Sequence, residues 1–365
     1  MTPQTAGATT TEARHRAAAP AATVIVVATN ELHHLRDCLP SLAAVDGLPP
    51  EVIVVDNAST DGTGEALATC YPWVRIVRTE ARLGYAPANN LGFREATGRF
   101  LIVLNPDTRV APGFVAGLVA ASAAAGDQAL VTSRICLFDR PDEINTCGNT
   151  VNFGLIAACR GLGEPADRWG TADEVASISG CAFLVPRPLL EQLGPFEEAI
   201  YPYLEDTEIS LRAWVGGFRC VTAPDSVVYH KYAIRLKPEK FFFIERNRWL
   251  VMLQTYRWRT LAVLLPGLLL TEGLVWAGAA TMGTDHLRAK ARSYAAIARM
   301  LPVARQGRRR TQRLRRRDDR SLLARLDGPV PVAQLATAPV ARIGLTVANA
   351  VLAGYFGGVR RLVRW

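Results

Sequence analysis

The sequence predicts an α/β fold, a mostly parallel central sheet with helices on both faces, followed by a helical C-terminal extension that associates with a membrane. Three observations predict it. Short β-branched runs alternate with helical patterns, the order that lays parallel strands under crossover helices. Polar clusters stand where those strands end. Charge also divides along the chain: residues 1–236 carry 18 Lys and Arg against 26 Asp and Glu, or −8, while residues 237–365 carry 24 against 7, or +17.

Residues 1–22 are biased to Ala, Thr and Pro and contain no continuous apolar stretch. They read as a disordered tail, not as a secretory signal. Residues 23–28 (TVIVVA) form the first strand, broken by Thr29-Asn30-Glu31, and a helix follows through Leu32, Leu35, Leu39 and Leu42. Residues 51–55 (EVIVV) are a second strand ending on Asp56; DNASTDGT then supplies turn and cap residues before a helix near 64–70. A strand at 74–77, a helix at 86–96 and a strand at 99–104 continue the alternation. Beyond residue 112 the spacing predicts a helix to 125 and a strand over 129–138. Residues 139–174 read as irregular, 174–185 as a strand, 186–193 and 204–215 as helices, and 218–230 as further strands. One domain therefore spans 23–236, and an extension spans 237–365.

The 365 residues are 49% hydrophobic and 21% charged, a globular composition with some apolar surplus. Seven scattered cysteines form no CxxC pair, which argues against a zinc site or a disulfide framework.

Ligands of such sheets bind beyond the carboxyl ends of the strands, and the polar clusters sit at those ends. Thr29, Asn30 and Glu31 follow the first strand. Asp56 and Asn57 follow the second, where a carboxylate can accept from a base or ribose and can equally cap a helix. In RLGYAPANN, Gly84 permits close backbone approach, Arg82 can meet a phosphate, and Asn89 offers an amide. Asn105-Pro106-Asp107 ends a core strand on a carboxylate, suited to Mg²⁺ or Mn²⁺ or to a plain turn. Glu205, Asp206 and Glu208 crowd three carboxylates into one helical turn; a general base needs such a group beside the reacting hydroxyl, and a helix start also favours acids. His230 ends an apolar run and can bind a metal or serve the structure.

Taken together, VIVVATNE, VIVVDNASTDGT, RLGYAPANNLGF, LNPDTRV, SGCAFLVPR and YLEDTEISLRAWVGGF, in that order, resemble the family 2 glycosyltransferases of GT-A fold. The nearest flavour is rhamnosyltransferase-like, on Glu205–Glu208 and Arg246-Asn247-Arg248. The resemblance implies an inverting transfer of a sugar such as rhamnose from a nucleotide-diphosphate donor to a lipid-linked or cell-envelope glycan acceptor. It implies Asp206, with Glu205, as the catalytic group. Thr29, Asn30, Glu31, Asp56, Asn57, Arg82, Gly84, Asn89, Asn105 and Gly180 would lie at the substrate, and Asp107 and His230 at the metal. Three positions depart from the family pattern: Asn105 opens the DxD-type motif, Glu208 replaces a commoner Asp, and Arg82 a usual Asn. The alternative is a catalytically inactive sugar-nucleotide-binding scaffold. A nucleotidyltransferase would want a Gly-rich loop after the first strand, and a dinucleotide enzyme a GxGxxG; TNELHH is neither.

The extension mixes aromatics with arginines at 241–258, then runs apolar over 261–283 and 336–359, with an arginine cluster at 305–320 between. Pro266, Glu272 and Arg342 interrupt the apolar runs. Crossing twice would set the arginines against the positive-inside rule. The reading is helices lying in the inner leaflet on the cytoplasmic face, peripheral or monotopic, with the arginines on anionic lipid. No nucleic-acid module is recognisable.

Overall fold

The computed structural model describes residues 21–47, 50–233, 236–331 and 339–365. The expected tail lies outside the described residues as far as position 20.

Four β-branched strands build the first half of a nine-stranded sheet. β1 (Ala22–Ala28), β2 (Glu51–Asp56), β3 (Arg75–Arg78) and β4 (Phe100–Leu104) run parallel in the order β3-β2-β1-β4. α1 (Leu32–Ala43), α2 (Thr63–Cys70) and α3 (Tyr85–Glu95) make the crossovers. Period-2 alternation splits the strands between two core layers. Ile25, Ile53 and Val103 face Ala88 and Phe93 of α3, while Val24, Val54 and Ile102 face Leu35 and Leu39 of α1.

The second half comprises β5 (Thr108–Val110), α4 (Phe114–Ala124), β6 (Ala129–Leu137), β7 (Ile144–Thr146), β8 (Asn149–Val151), β9 (Ala157–Cys159), β10 (Ala182–Pro186), α5 (Arg187–Leu193), α6 (Glu205–Val215) and β11 (Arg219–His230). β10 lies between β4 and β6 and is antiparallel to both, so the whole sheet is mixed. The chain reaches β10 through a long segment containing the β8–β9 hairpin, with no helical crossover to force parallel pairing. The strand expected over 174–185 begins only at Ala182. Side chains take the preceding backbone groups instead: Trp214 Nε1 donates to the carbonyls of Val175 and Ala176 (3.2 Å each), Ile178 N donates to Ser210 Oγ (3.1 Å), and Ser179 N donates to Thr132 Oγ1 (3.2 Å). These bonds hold Gly180 at the rim of the sheet.

The extension is helical: α7 (Pro238–Thr255), α8 (Trp258–Met282), α9 (Thr284–Arg299), α10 (Leu301–Leu314), α11 (Asp319–Leu323) and α12 (Pro339–Leu362). It shares a core with the sheet domain, for Leu250, Leu264, Leu322 and Phe356 pack in one cluster with Phe183 and Trp214. Of the nine arginines at 305–320, expected on lipid, four bond to the protein itself, while Arg305, Arg309, Arg313, Arg316 and Arg320 are exposed. Arg308 Nη1 donates to the carbonyls of Leu253 (2.8 Å) and Tyr256 (2.5 Å), and Arg315 Nη2 to that of Thr255 (2.6 Å). Arg310 pairs with Glu197 (3.0 Å), and Arg317 donates to the Gly217 carbonyl (3.1 Å). The end of α7 leaves carbonyls without helical partners, and cations satisfy them.

Candidate active site

The site is built along the carboxyl ends of β2, β1 and β4 and beside β10. Asp56, the last residue of β2, is fully buried. Its Oδ1 accepts from Ser59 N (3.1 Å) and its Oδ2 lies 3.6 Å from Arg78 Nε, yet Oδ2 has no hydrogen-bond partner. A buried acceptor left open costs free energy unless something donates to it.

The neighbouring amides act on the protein itself. Asn57 Nδ2 donates to Thr29 Oγ1 (3.0 Å) and to the Leu83 carbonyl (2.9 Å), and its Oδ1 accepts from Leu83 N (2.7 Å). Asn30, at φ 57°, accepts from Thr60 N through Oδ1 (2.7 Å). Asn89 Nδ2 donates to the Tyr85 carbonyl (2.9 Å). Asn30, Asn57 and Asn89, expected at the substrate, therefore spend these bonds on fixing the loops at 57–62 and 82–85. The Asn57 amide is matched at both its atoms, whereas Asn89 Oδ1 is buried without a partner. Arg82 is exposed beside this rim, and Gly84 is required by closeness, since a Cβ there would lie 2.6 Å from the Tyr201 ring.

Tyr85 ties the loops at 57–62 and 82–85 to the acidic side. Its hydroxyl donates to the Gly180 carbonyl (2.8 Å) and reaches Asn105 Oδ1 (3.5 Å). Gly180 N in turn donates to Asp206 Oδ2 (3.0 Å). Asp206 also accepts from Asn149 Nδ2 (3.3 Å) and Thr207 N (2.7 Å). Burial raises the Asp206 carboxyl above its ordinary value, while these donors pull the other way. Glu205 has no such set of side-chain donors, and burial pushes it up to about 8. Glu208 belongs to the scaffold, accepting from Arg212 Nη2 (2.9 Å) with Arg310 Nη2 3.4 Å away.

Asp107 stands two residues beyond Asn105, with Thr108 Oγ1 donating to the Asn105 carbonyl (2.6 Å) to close the turn. Its Oδ2 lies 3.4 Å from His230 Nε2; its Oδ1 is buried without a partner. Asn145 Oδ1 lies 2.8 Å from His230 Nδ1 and fixes that ring. Burial would raise the Asp107 carboxyl, but the His230 hydrogen bond and charge outweigh it and hold it low. Burial would lower His230; Cys181 and Asp107 raise it to about 10. The orphaned Asp107 oxygen, with the His230 ring fixed beside it by Asn145 Oδ1, fits a divalent cation, which would take the imidazole in its neutral form. Glu31, His33 and His34 gather nearby, their ligand atoms within 4.8 Å of one another, and Asp107 and Glu31 are close enough to raise the Glu31 carboxyl after burial has done so.

Four residues of this rim escaped sequence reasoning. Tyr85 lies within the quoted RLGYAPANN motif and could have been found there. His34 is signalled by Glu31-x-His33-His34 after a strand. Asn145 and Asn149 carry no local signal, since they reach His230 and Asp206 only through the fold.

A mixed sheet whose carboxyl rim gathers Asp56, Asp107 and Asp206 is the architecture of a GT-A glycosyltransferase. Residues 23–192, somewhat under half of the chain, match the family described as Glycosyl transferase family 2. The chain is 28% identical over 236 residues to an N-acetylglucosaminyl-diphospho-decaprenol L-rhamnosyltransferase of Mycobacterium tuberculosis, covering 58% of this chain and 76% of that protein. It is 33% identical over 219 residues to the succinoglycan biosynthesis protein ExoO of Rhizobium meliloti, covering 58% and 61%. Among solved structures, S. aureus TarS 1–349 in complex with UDP-GlcNAc aligns with a TM-score of 0.53 at 16% identity, over 93% of this chain and 90% of that one. GalNAc-T7 with UDP, GalNAc and Mn²⁺ aligns with a TM-score of 0.54 at 20% identity, over 64% of this chain and about half, 48%, of that one.

Proposed function

We propose that this glycosyltransferase moves a sugar, rhamnose by its similarity to the mycobacterial relative, from a nucleotide-diphosphate donor to a lipid-linked or cell-envelope glycan acceptor, with inversion and at the cytoplasmic face of the membrane. The observation that supports the reading is the chain of contacts from Asp56 through Asn57, Leu83, Tyr85 and Gly180 to Asp206, which ties both carboxylates to the same rim of the sheet. Asp56 Oδ2 offers its open acceptor to a base N–H or a ribose hydroxyl. Asp206 takes the proton of the acceptor hydroxyl as that oxygen bonds to the anomeric carbon. The bond to the donor phosphate breaks, and its electron pair leaves on the nucleoside diphosphate. A single displacement inverts the centre, so the rim needs no second carboxylate nucleophile. Asp107 and His230 would hold Mg²⁺ or Mn²⁺, which when bound offsets the charge on the leaving diphosphate.

The test is nucleotide release from a panel of nucleotide sugars with Mg²⁺ or Mn²⁺, comparing native chain with Asp107→Ala and Asp206→Asn. Release by the native chain that both variants lose supports the enzyme. Equal release by all three rejects these roles, and no release with retained nucleotide-sugar binding leaves the inactive scaffold.

A further inference from the structure

We propose that the cleft beside the start of α6 binds the diphosphate of a lipid-linked acceptor, with Lys237 and Lys240 as its cationic grip. The inference rests on the transferase reading and deepens it by giving the acceptor's charged group a place. The cleft measures about 380 Å³ and is lined by Pro202, Tyr203, Lys237, Glu239, Lys240 and Phe243.

Its position ties it to the chemistry. Tyr203 lies just before the Glu205–Asp206 pair, and after burial the nearby Glu205 and Glu239 raise its phenol. The strand order also separates it from the donor's expected place. Asp56 lies on β2, two strands to one side of β4, and Gly180 with Asp206 lies at β10 on the other. Tyr203 thus stands beside Asp206, apart from Asp56 on β2.

Its charge is only partly compensated. The chain has four lysines. Lys231 pairs with Asp37 (2.5 Å) and Lys290 with Glu245 and Glu272, whereas Lys237 and Lys240 have no ion-pair partner among the described residues. Lys240 Nζ rests 4.9 Å over the Tyr203 ring. Glu239 faces the same space and leaves a surplus of one positive charge. Two ammonium groups in a concavity, one steadied on an aromatic face, suit a phosphate ester that offers several acceptor oxygens.

An apolar cluster lies behind the lysines. Leu236, Phe241 and Phe242, flanking the lysines, pack with Val275 and Ala279 of α8.

Farnesyl diphosphate tests the site by calorimetric titration of the full chain, with a nucleoside diphosphate and phosphatidylglycerol vesicles as separate arms. Lys237→Gln/Lys240→Gln is expected to weaken farnesyl diphosphate about tenfold, the worth of one or two charge-assisted bonds, and to leave the nucleoside diphosphate unchanged. Arg309→Gln, an exposed change on α10, should leave both unchanged. Thermal midpoints report folding, and if the double variant melts early, each single variant should still weaken the ligand about threefold. The proposal is overturned if native chain does not bind farnesyl diphosphate, if the lysine variants bind it as well as native, or if they lose only the nucleoside diphosphate or only the vesicles. Lysine-dependent binding without nucleotide release in the panel experiment would sink the transferase reading and keep this site.

Discussion

Glu205 and Asp206 are neighbours in sequence but stand in different surroundings. Asp206 receives hydrogen bonds from Gly180 N, Asn149 Nδ2 and Thr207 N, which favour its charged form. At Glu205 burial outweighs the backbone N–H bonds it accepts and pushes it up to about 8, so at neutral pH it holds its proton. Burial raises Asp206 as well, with its donors opposing that rise, and it is Asp206 that Gly180 N and Asn149 Nδ2 hold at the rim to take a proton from an acceptor. Asp206→Asn should cut transfer about 10²–10⁴-fold, whereas Glu205→Gln, which copies the neutral shape, should stay within about threefold. A comparable collapse in both variants would refute the division of labour. The same contrast has a stability signature. An unfolded Glu205 ionises near its ordinary 4.5 and the folded one near 8, so its contribution is full below 4.5 and is lost as pH rises through 8. Glu205→Gln should therefore melt higher than native at pH 8.5 and show no such gain at pH 4; an equal gain at both would point to packing instead.

At the scale of the element, α7 connects the extension to the chemistry. Asn247 Nδ2 donates to the carbonyls of Pro202 and Tyr203 (2.8 Å each), and Arg246 Nη2 to that of Tyr201 (2.6 Å). Those bonds hold Tyr203 at φ 72° and Leu204 at φ 68°, a left-handed pair that non-glycine residues adopt only when constrained. The pair aims the first turn of α6 at the rim. Behind it, Arg248 and Lys290 pair with Glu245 and Glu272 in a buried cluster joining α7, α8 and α9. Asn247→Ala should lower kcat about tenfold while leaving the donor KM nearly unchanged, because it relaxes Asp206 and not Asp56. A shift in donor KM with kcat intact would place Asn247 elsewhere. How much of this was legible in sequence follows the range of the forces. The strands at 23–28, 51–56 and 99–104 could be read because burial on both faces demands β-branched runs. Asp107 and Asp206 could be read because carboxylates at strand and helix ends need a reason. The 139–181 segment could not, since β7, β8 and β9 are three residues each and exist through distant partners. Nor could the duty of the arginines at 305–320, because composition does not distinguish a guanidinium on lipid from one closing a helix end.

For the whole molecule, the open question is what α8 and α12 present to the outside. α8 is the one helix among the described residues long and apolar enough to cross a membrane. Yet Glu272, midway along it, is tied to Arg248 and Lys290, which anchors the helix to the protein. Its buried side carries Thr260, Leu264, Gly267, Leu268 and Thr271, and its outward side Trp258, Leu265, Leu269 and Leu270. The usual polarity of a surface helix is thus reversed, with Leu269 64% exposed. α12 lies against it, Tyr355 donating to the Val263 carbonyl, and adds Val347 (64%) and Val351 (56%) to the outside. Exposed Arg259, Arg360, Arg361 and Arg364 stand near one end, where the Arg259 guanidinium lies 4.4 Å over the Trp365 ring. An apolar face edged by arginines and tryptophan suits a helix pair lying in an anionic leaflet. Deleting residues 237–365 is no test, because Leu250, Leu264 and Phe356 complete the core. Leu265→Asn/Leu269→Asn spares that core, and should cut flotation with phosphatidylglycerol vesicles about tenfold or more, given the area two leucines bury. Raising salt should release part of the native chain through the arginines, and the double variant more completely. If the double variant floats as well as native at every salt concentration, the face does not meet lipid, and the arginine-edged helices are simply the outer wall of the enzyme.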